Sequence, residues 1–198
     1  MDETLDRFLP AYGHRTVHGI TLAAPPQEVW AALNAVTLAD LPLPRVLLAL
    51  RTLPSRLRGR GPDLLDRSVP LADLFRRGDR WVTLAEEPGR ILVLGRVARF
   101  WSPVPQEPAP LRDGEGFLAF GAPGYAKAVI SHEVIAHGTG SRLVTETRIQ
   151  GTDARARRRF AAYWVLIRPG VGLIRRSALA AAGRRCDGPR GGRPVPGE

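Results

Sequence analysis

From Arg80 to Gly151 the chain is a succession of short strand patterns joined by tight turns, and from Asp153 it switches to one long helical pattern with an aromatic face. That order limits the fold more than any motif does. Strands that follow one another across short turns pair antiparallel. A helix with a broad apolar face must bury it against another layer. The economical arrangement is an α+β domain in which a curved antiparallel sheet of about seven strands wraps around the long C-terminal helix.

The elements read as follows. His14 to Leu22 alternates as a strand, with Thr16, His18, Ile20 and Leu22 on one side. Ala24-Pro25-Pro26 stops it, and Gln27 and Glu28 suit the first turn of a helix that carries Val29, Trp30, Leu33 and Val36. A second short helix is expected from Pro44, with Val46, Leu47 and Leu50, up to Pro54. Pro54 to Pro62 reads as a basic loop and Val69 to Arg76 as a weak strand. Arg80 to Glu87 and Ile91 to Trp101 are strong strands around Glu87-Pro88-Gly89-Arg90, a type II turn signature. Ser102 to Gly114 is proline-rich loop, and Gly116 to Gly121 reads as a short strand. Ala126 to Ala136 and Arg142 to Gly151 form a hairpin across His137 to Ser141. Asp153 is the N-cap of the final helix, whose face is Phe160, Tyr163, Trp164 and Ile167. Pro169-Gly170 should kink or break it before Val171 to Arg185 resumes. This divides the chain into an N-terminal arm (1–13), one domain (14–185) and a Gly/Pro/Arg tail (186–198) expected to be disordered.

Composition excludes several classes. No run nears the roughly 18–20 apolar residues of a membrane span. The first residues, Met-Asp-Glu-Thr-Leu-Asp, lack the layout of a secretory signal, and Cys186 is the only cysteine. A cytoplasmic location is the expectation. The net charge is +10, yet Lys127 is the only lysine and every other base is arginine. A GC-rich coding sequence gives that pattern by itself; an anionic partner is the competing explanation. The histidines at 14, 18, 132 and 137 form no metal-ligating pattern, and no phosphate loop or nucleophile elbow is present. No cofactor or metal is expected.

The order of elements, the Ala24-Pro25-Pro26-Gln27-Glu28-Val29-Trp30 junction, the Thr145-Glu146-Thr147-Arg148 strand and Phe160-Ala161-Ala162-Tyr163-Trp164 resemble the START-like superfamily, also called Bet v 1-like, polyketide cyclase-like or SRPBCC. The strand and the helix motif look like a bacterial branch of uncharacterised members. The resemblance covers about residues 14–185. It implies a helix-grip fold and a cavity between sheet and terminal helix that holds a lipid, polyketide or isoprenoid-like molecule. Some members catalyse cyclisation or dehydration in that cavity, and no motif here singles out a catalytic one.

Folding the last hairpin on its loop sets His132 opposite Thr145 and Ile130 opposite Thr147. The face with Ala128, Ile130, His132, Val134, Leu143, Thr145, Thr147 and Ile149 is the more apolar, so it should turn toward the helix. His132, Thr145 and Thr147 then orient the polar part of an apolar ligand; the plainer reading is that they satisfy each other or a buried water. Tyr163, Trp164 and Ile167 supply the opposite wall, with Trp81 and Phe117 as further candidates; Tyr163, Trp164, Trp81 and Phe117 are also readable as core. An enclosed pocket of roughly 300–1,000 Å³ is expected there. His132 as a general acid or base in the same cavity is the enzyme alternative. Arg155, Arg157, Arg158 and Arg159 open the final helix. They offer a weak contact for anionic lipid or nucleic acid, or merely a solvated face.

Overall fold

The computed structural model describes residues 2–41, 81–102, 109 and 111–186. In chain order the elements are α1 (Asp2–Phe8), β1 (His14–Leu22), α2 (Pro26–Ala35), a 3₁₀ turn (Leu38–Asp40), β2 (Val82–Glu87), β3 (Ile91–Ala98), α3 (Gly114–Ala119), β4 (Ala126–His137), β5 (Gly140–Gly151) and α4 (Ala154–Cys186). The strands form one antiparallel sheet in the order β1-β5-β4-β3-β2. The α+β class and the long C-terminal helix lying on an antiparallel sheet agree with a helix-grip arrangement.

Turn chemistry sets the registers. Gly89 has φ +84°, and the Arg90 amide donates to the Glu87 carbonyl at 3.0 Å, as a Pro-Gly type II turn requires. The β4–β5 loop is tighter than the five residues expected. Only Gly138 and Thr139 lie between the strands, and Gly138 takes φ +57°, the positive first position of a type II′ hairpin. Gly140 follows because β1 ends against it: a Cβ there would stand 2.2 Å from the Leu22 carbonyl oxygen.

The sheet is covered on both faces. On the inner face lie α4 and α2. Ala126, Ala128 and Ile149 pack with Phe160 and Trp164 near one end of α4. Leu22, Val134 and Leu143 pack with Val29, Leu179 and Ala182 near the other. On the outer face Val93, Val97 and Val129 are covered by Leu5, Phe8 and Leu9 from the N-terminal segment and by Phe117 of α3. Residues 1–13, expected as an arm, therefore include a helix that belongs to the core.

Three further expectations change. Gly116 to Gly121 is not a strand: Asp113 Oδ1 accepts from the Gly116 amide at 2.8 Å and caps the α3 helix, which turns Phe117 into the outer-face core. Six residues are too few for periodicity to tell helix from strand. The sheet accordingly has five strands among the described residues, rather than about seven. Pro169 does not break the final helix, which runs as one element through it. The carbonyl that loses its i+4 donor is that of Val165, on an exposed stretch where water can take the donor's place. The expected helix from Pro44, the loop Pro54 to Pro62, the strand Val69 to Arg76 and the tail beyond Cys186 lie outside the described residues.

Candidate functional site

The pairing of β1, β5, β4 and β3 lays the inner face out as rows. His14, Ile149 and Ala128 form one row; Ile20, Leu143 and Val134 form another. These two rows meet the apolar ends of α4. Between them run two rows of different character. Thr16, Thr147, Ile130 and Leu94 are successive partners, as are His18, Thr145, His132 and Leu92. The hairpin register is the one expected from its loop, so His132 does stand opposite Thr145.

Above the polar row lies the middle of α4. A Cβ on Gly172 would lie 3.8 Å from His18 Cε1, which places the helix directly over that ring. The helix is buried at Phe160 and Trp164 and again at Leu179, Ala181 and Ala182, while Ile167, Val171, Arg175 and Ala178 between them are half-buried. His132 is half-buried like Arg175, and the Arg175 charge acts on its ring.

The electrostatics of this polar row are unusual. Burial pushes the His132 imidazole down to about 3, with the positive charge of Arg175 adding to the effect. His18 is lowered by burial first and then by Arg176 and Arg175. Both rings are thus neutral at neutral pH. Burial lowers the Arg175 guanidinium to about 10, which leaves it charged. Among the described residues no carboxylate pairs with Arg175. Thr145 is only 2% exposed and its Oγ1 has no hydrogen-bond partner among them; nor has His18 Nε2. A buried polar atom left so costs about 1–3 kcal/mol.

The other predicted residues separate. Trp164 is engaged in packing: its ring stacks on Phe160 with centroids 5.8 Å apart and sits 5.6 Å from His14. Tyr163 meets Phe160 edge-on, and Ile167 lies against the same cluster. Trp81 faces the Arg96 guanidinium at the other sheet edge, 5.8 Å from its ring. Phe117 is excluded from the site, because α3 buries it on the opposite face of the sheet. Arg155, Arg157, Arg158 and Arg159 are exposed on the first turns of α4. There the Asp153 carboxyl is held below its ordinary range, first by the amides of Ala156 and Gly124, with Arg157 contributing. Two clefts formed by described residues lie elsewhere and are open to solvent. One, of about 340 Å³, borders His14, Arg157 and Phe160. The other, of about 430 Å³, borders Arg7, Leu84 and Asp113. Neither is the enclosed pocket expected under α4.

Two members of the inner site, His18 and Arg175, were missed. His18 shares its strand face with Thr16 and Ile20, but only the β1–β5 pairing brings it beside Thr145. Arg175 continues the Phe160, Trp164, Ile167, Val171 stripe once the helix is read through Pro169.

On the outer face a buried ion network joins strand to N-terminal helix. Arg15 Nε and Nη2 donate to the two Glu146 oxygens at 2.7 and 3.0 Å, and Arg148 Nε donates to Glu146 at 2.7 Å. Arg148 Nη1 donates to Asp6 of α1, and its guanidinium lies 4.8 Å from the Tyr12 ring centroid. Burial works to raise the Glu146 carboxyl, but the bonds from Arg15 and Arg148 outweigh it and hold it below its ordinary range.

No protein-family model and no curated protein matches the chain. Among solved structures it is similar to a Mesorhizobium loti protein at 14% identity, covering 86% of this chain and 98% of that one with a TM-score of 0.38. A Rhizobium loti protein follows at 12% identity, 87% and 96% coverage and a TM-score of 0.36. Ara h 8.0201 is 9% identical over 87% and 97% of the two chains, with a TM-score of 0.30. Likeness at this level assigns neither family nor function.

Proposed function

We propose that the chain binds a small, mostly apolar molecule in the space between the inner sheet face and the middle of α4. The observation that supports this is the interruption of the inner core. Apolar clusters pack both ends of α4. Between them His18, Thr145, His132 and Arg175 meet with Thr145 Oγ1 and His18 Nε2 unpartnered among the described residues. A fully packed core rarely carries such a row, whereas a ligand with one polar end supplies the missing partners.

A cyclase- or dehydratase-like reaction through His132 is the weaker reading. An imidazole pushed down to about 3 is a poor proton acceptor at neutral pH and is not present there as the imidazolium that a general acid requires. Non-catalytic binding or carriage needs only the space and its polar wall.

The test is uptake of a neutral, environment-sensitive dye such as Nile red by the wild type and by Ile130→Trp. Ile130 lies beside Thr147 on the inner face, and the larger ring should block uptake while costing little stability. In a packed interior the same enlargement costs about 1–3 kcal/mol. A wild type that takes up no dye, together with a strongly destabilised variant, rejects the reading.

A further inference from the structure

The polar wall has a composition that selects a ligand chemistry. It holds one charged group, Arg175, without a carboxylate partner among the described residues, and two histidines whose rings are neutral. Arg176, whose charge acts on His18 ahead of that of Arg175, is exposed, and its guanidinium reaches the rim of the wall, 3.8 Å from where a Gly172 Cβ would stand beside the His18 ring. A buried cation stays charged at a cost unless an anion meets it. The wall therefore presents one inward positive charge, Arg175, with an alcohol and an imidazole nitrogen beside it and the exposed Arg176 at its rim. A carboxylate, with one negative charge and two acceptor oxygens in a plane, matches that set, and a planar guanidinium receives it with paired donors. A phosphate monoester, with close to two charges at neutral pH, would need the exposed Arg176 to turn inward as well.

We infer that the ligand is an acidic amphiphile whose carboxylate is received by Arg175, with the Thr145 hydroxyl and His18 Nε2 as accompanying donors. This rests on the binding reading above. The apolar part of such a molecule runs along the neighbouring row, past Ile130 and Leu94. The neutral state of His132 has a purpose in this arrangement: a second buried positive charge next to Arg175 would be repelled by it when no ligand is bound.

The test compares head groups on one chain length. Lauric acid, lauryl alcohol and lauryl phosphate are titrated against bound Nile red at about pH 8, where the acid is ionised. The acid should displace the dye at a concentration about 10-fold or more below that of the alcohol, the advantage of a charge-assisted bond. Arg175→Met should abolish that preference by bringing the acid to the level of the alcohol, and a cooperative thermal unfolding transition shows that the variant is folded. Thr145→Val, which removes an unpartnered hydroxyl and keeps the shape, should weaken the acid several-fold. Equal displacement by acid and alcohol in the wild type overturns the inference and leaves the binding reading standing. So does an acid preference that survives Arg175→Met. Tighter displacement by the phosphate overturns the choice of carboxylate. If no dye enters, both the inference and the reading beneath it fall.

Discussion

Thr145 is flanked by two histidines: His132 is its cross-strand partner on β4 and His18 its partner on β1, so one hydroxyl lies between two imidazoles in the interior of the sheet face. The three residues belong to segments more than a hundred positions apart at the extremes, and only the sheet brings them together. Their shared environment makes protonation costly, and the first prediction follows from that.

His132 is held neutral in the folded chain down to about 3 and protonates near 6.5 in the unfolded chain. Between those values the unfolded state binds a proton that the folded state does not. Its contribution to stability is therefore whole above about 6.5 and is lost progressively as pH falls toward 3. His18 shifts in the same direction. Urea midpoints should decline from about pH 6.5 downward, and His132→Leu should flatten that part of the curve. A wild-type profile that stays level from about pH 7 to 5 would contradict the buried, neutral placement.

On the outer face, the members of the ion network should differ sharply in importance. Glu146 is fully buried and takes three hydrogen bonds from two arginines. Glu146→Leu takes from the buried Arg148 its buried carboxylate partner, and should cost about 3–5 kcal/mol. Asp6 is half-exposed, so Asp6→Asn should cost under about 1 kcal/mol. Denaturant unfolding of the two variants checks the order. A Glu146→Leu protein as stable as the wild type would show that the network contributes specificity and not stability.

The binding reading yields the third prediction, loss of Nile red uptake in Ile130→Trp with stability kept. The acid-over-alcohol preference that depends on Arg175 is the fourth.

Local chemistry made much of this fold legible in the sequence. The Pro88-Gly89 turn, the Asp153 cap and the register of the β4–β5 hairpin are decided by a few adjacent residues, and the structure shows each of them. Ala156 donates to Asp153 Oδ1 at 2.8 Å, as the cap requires. Failures came where a local rule lost to a distant contact. Phe117 alternates like a strand residue, but the outer-face core and the Asp113 cap draw it into a helix. Pro169 reads as a break, yet packing on both sides of it holds the helix together. Half of the candidate site was readable for the same reason. His132, Thr145, Thr147 and Ile130 share one hairpin, whereas His18 and Arg175 reach it through β1–β5 pairing and helix docking, which leave no short-range trace.

The N-terminal helix has a consequence for any shortened form of this chain. Leu5, Phe8 and Leu9 are buried against Val93, Val97, Val129 and Phe117, and each such side chain contributes about 1.5–3 kcal/mol. The acidic, polar look of the first six residues hides this, because the apolar side chains are spaced to one side of a short helix. A polypeptide begun at His14 would keep every strand and the whole inner wall, yet it would turn a greasy outer flank to water. It should self-associate, as size-exclusion chromatography with light scattering would reveal. A strictly monomeric, equally soluble shortened form would mean that the flank is closed by something other than the helix.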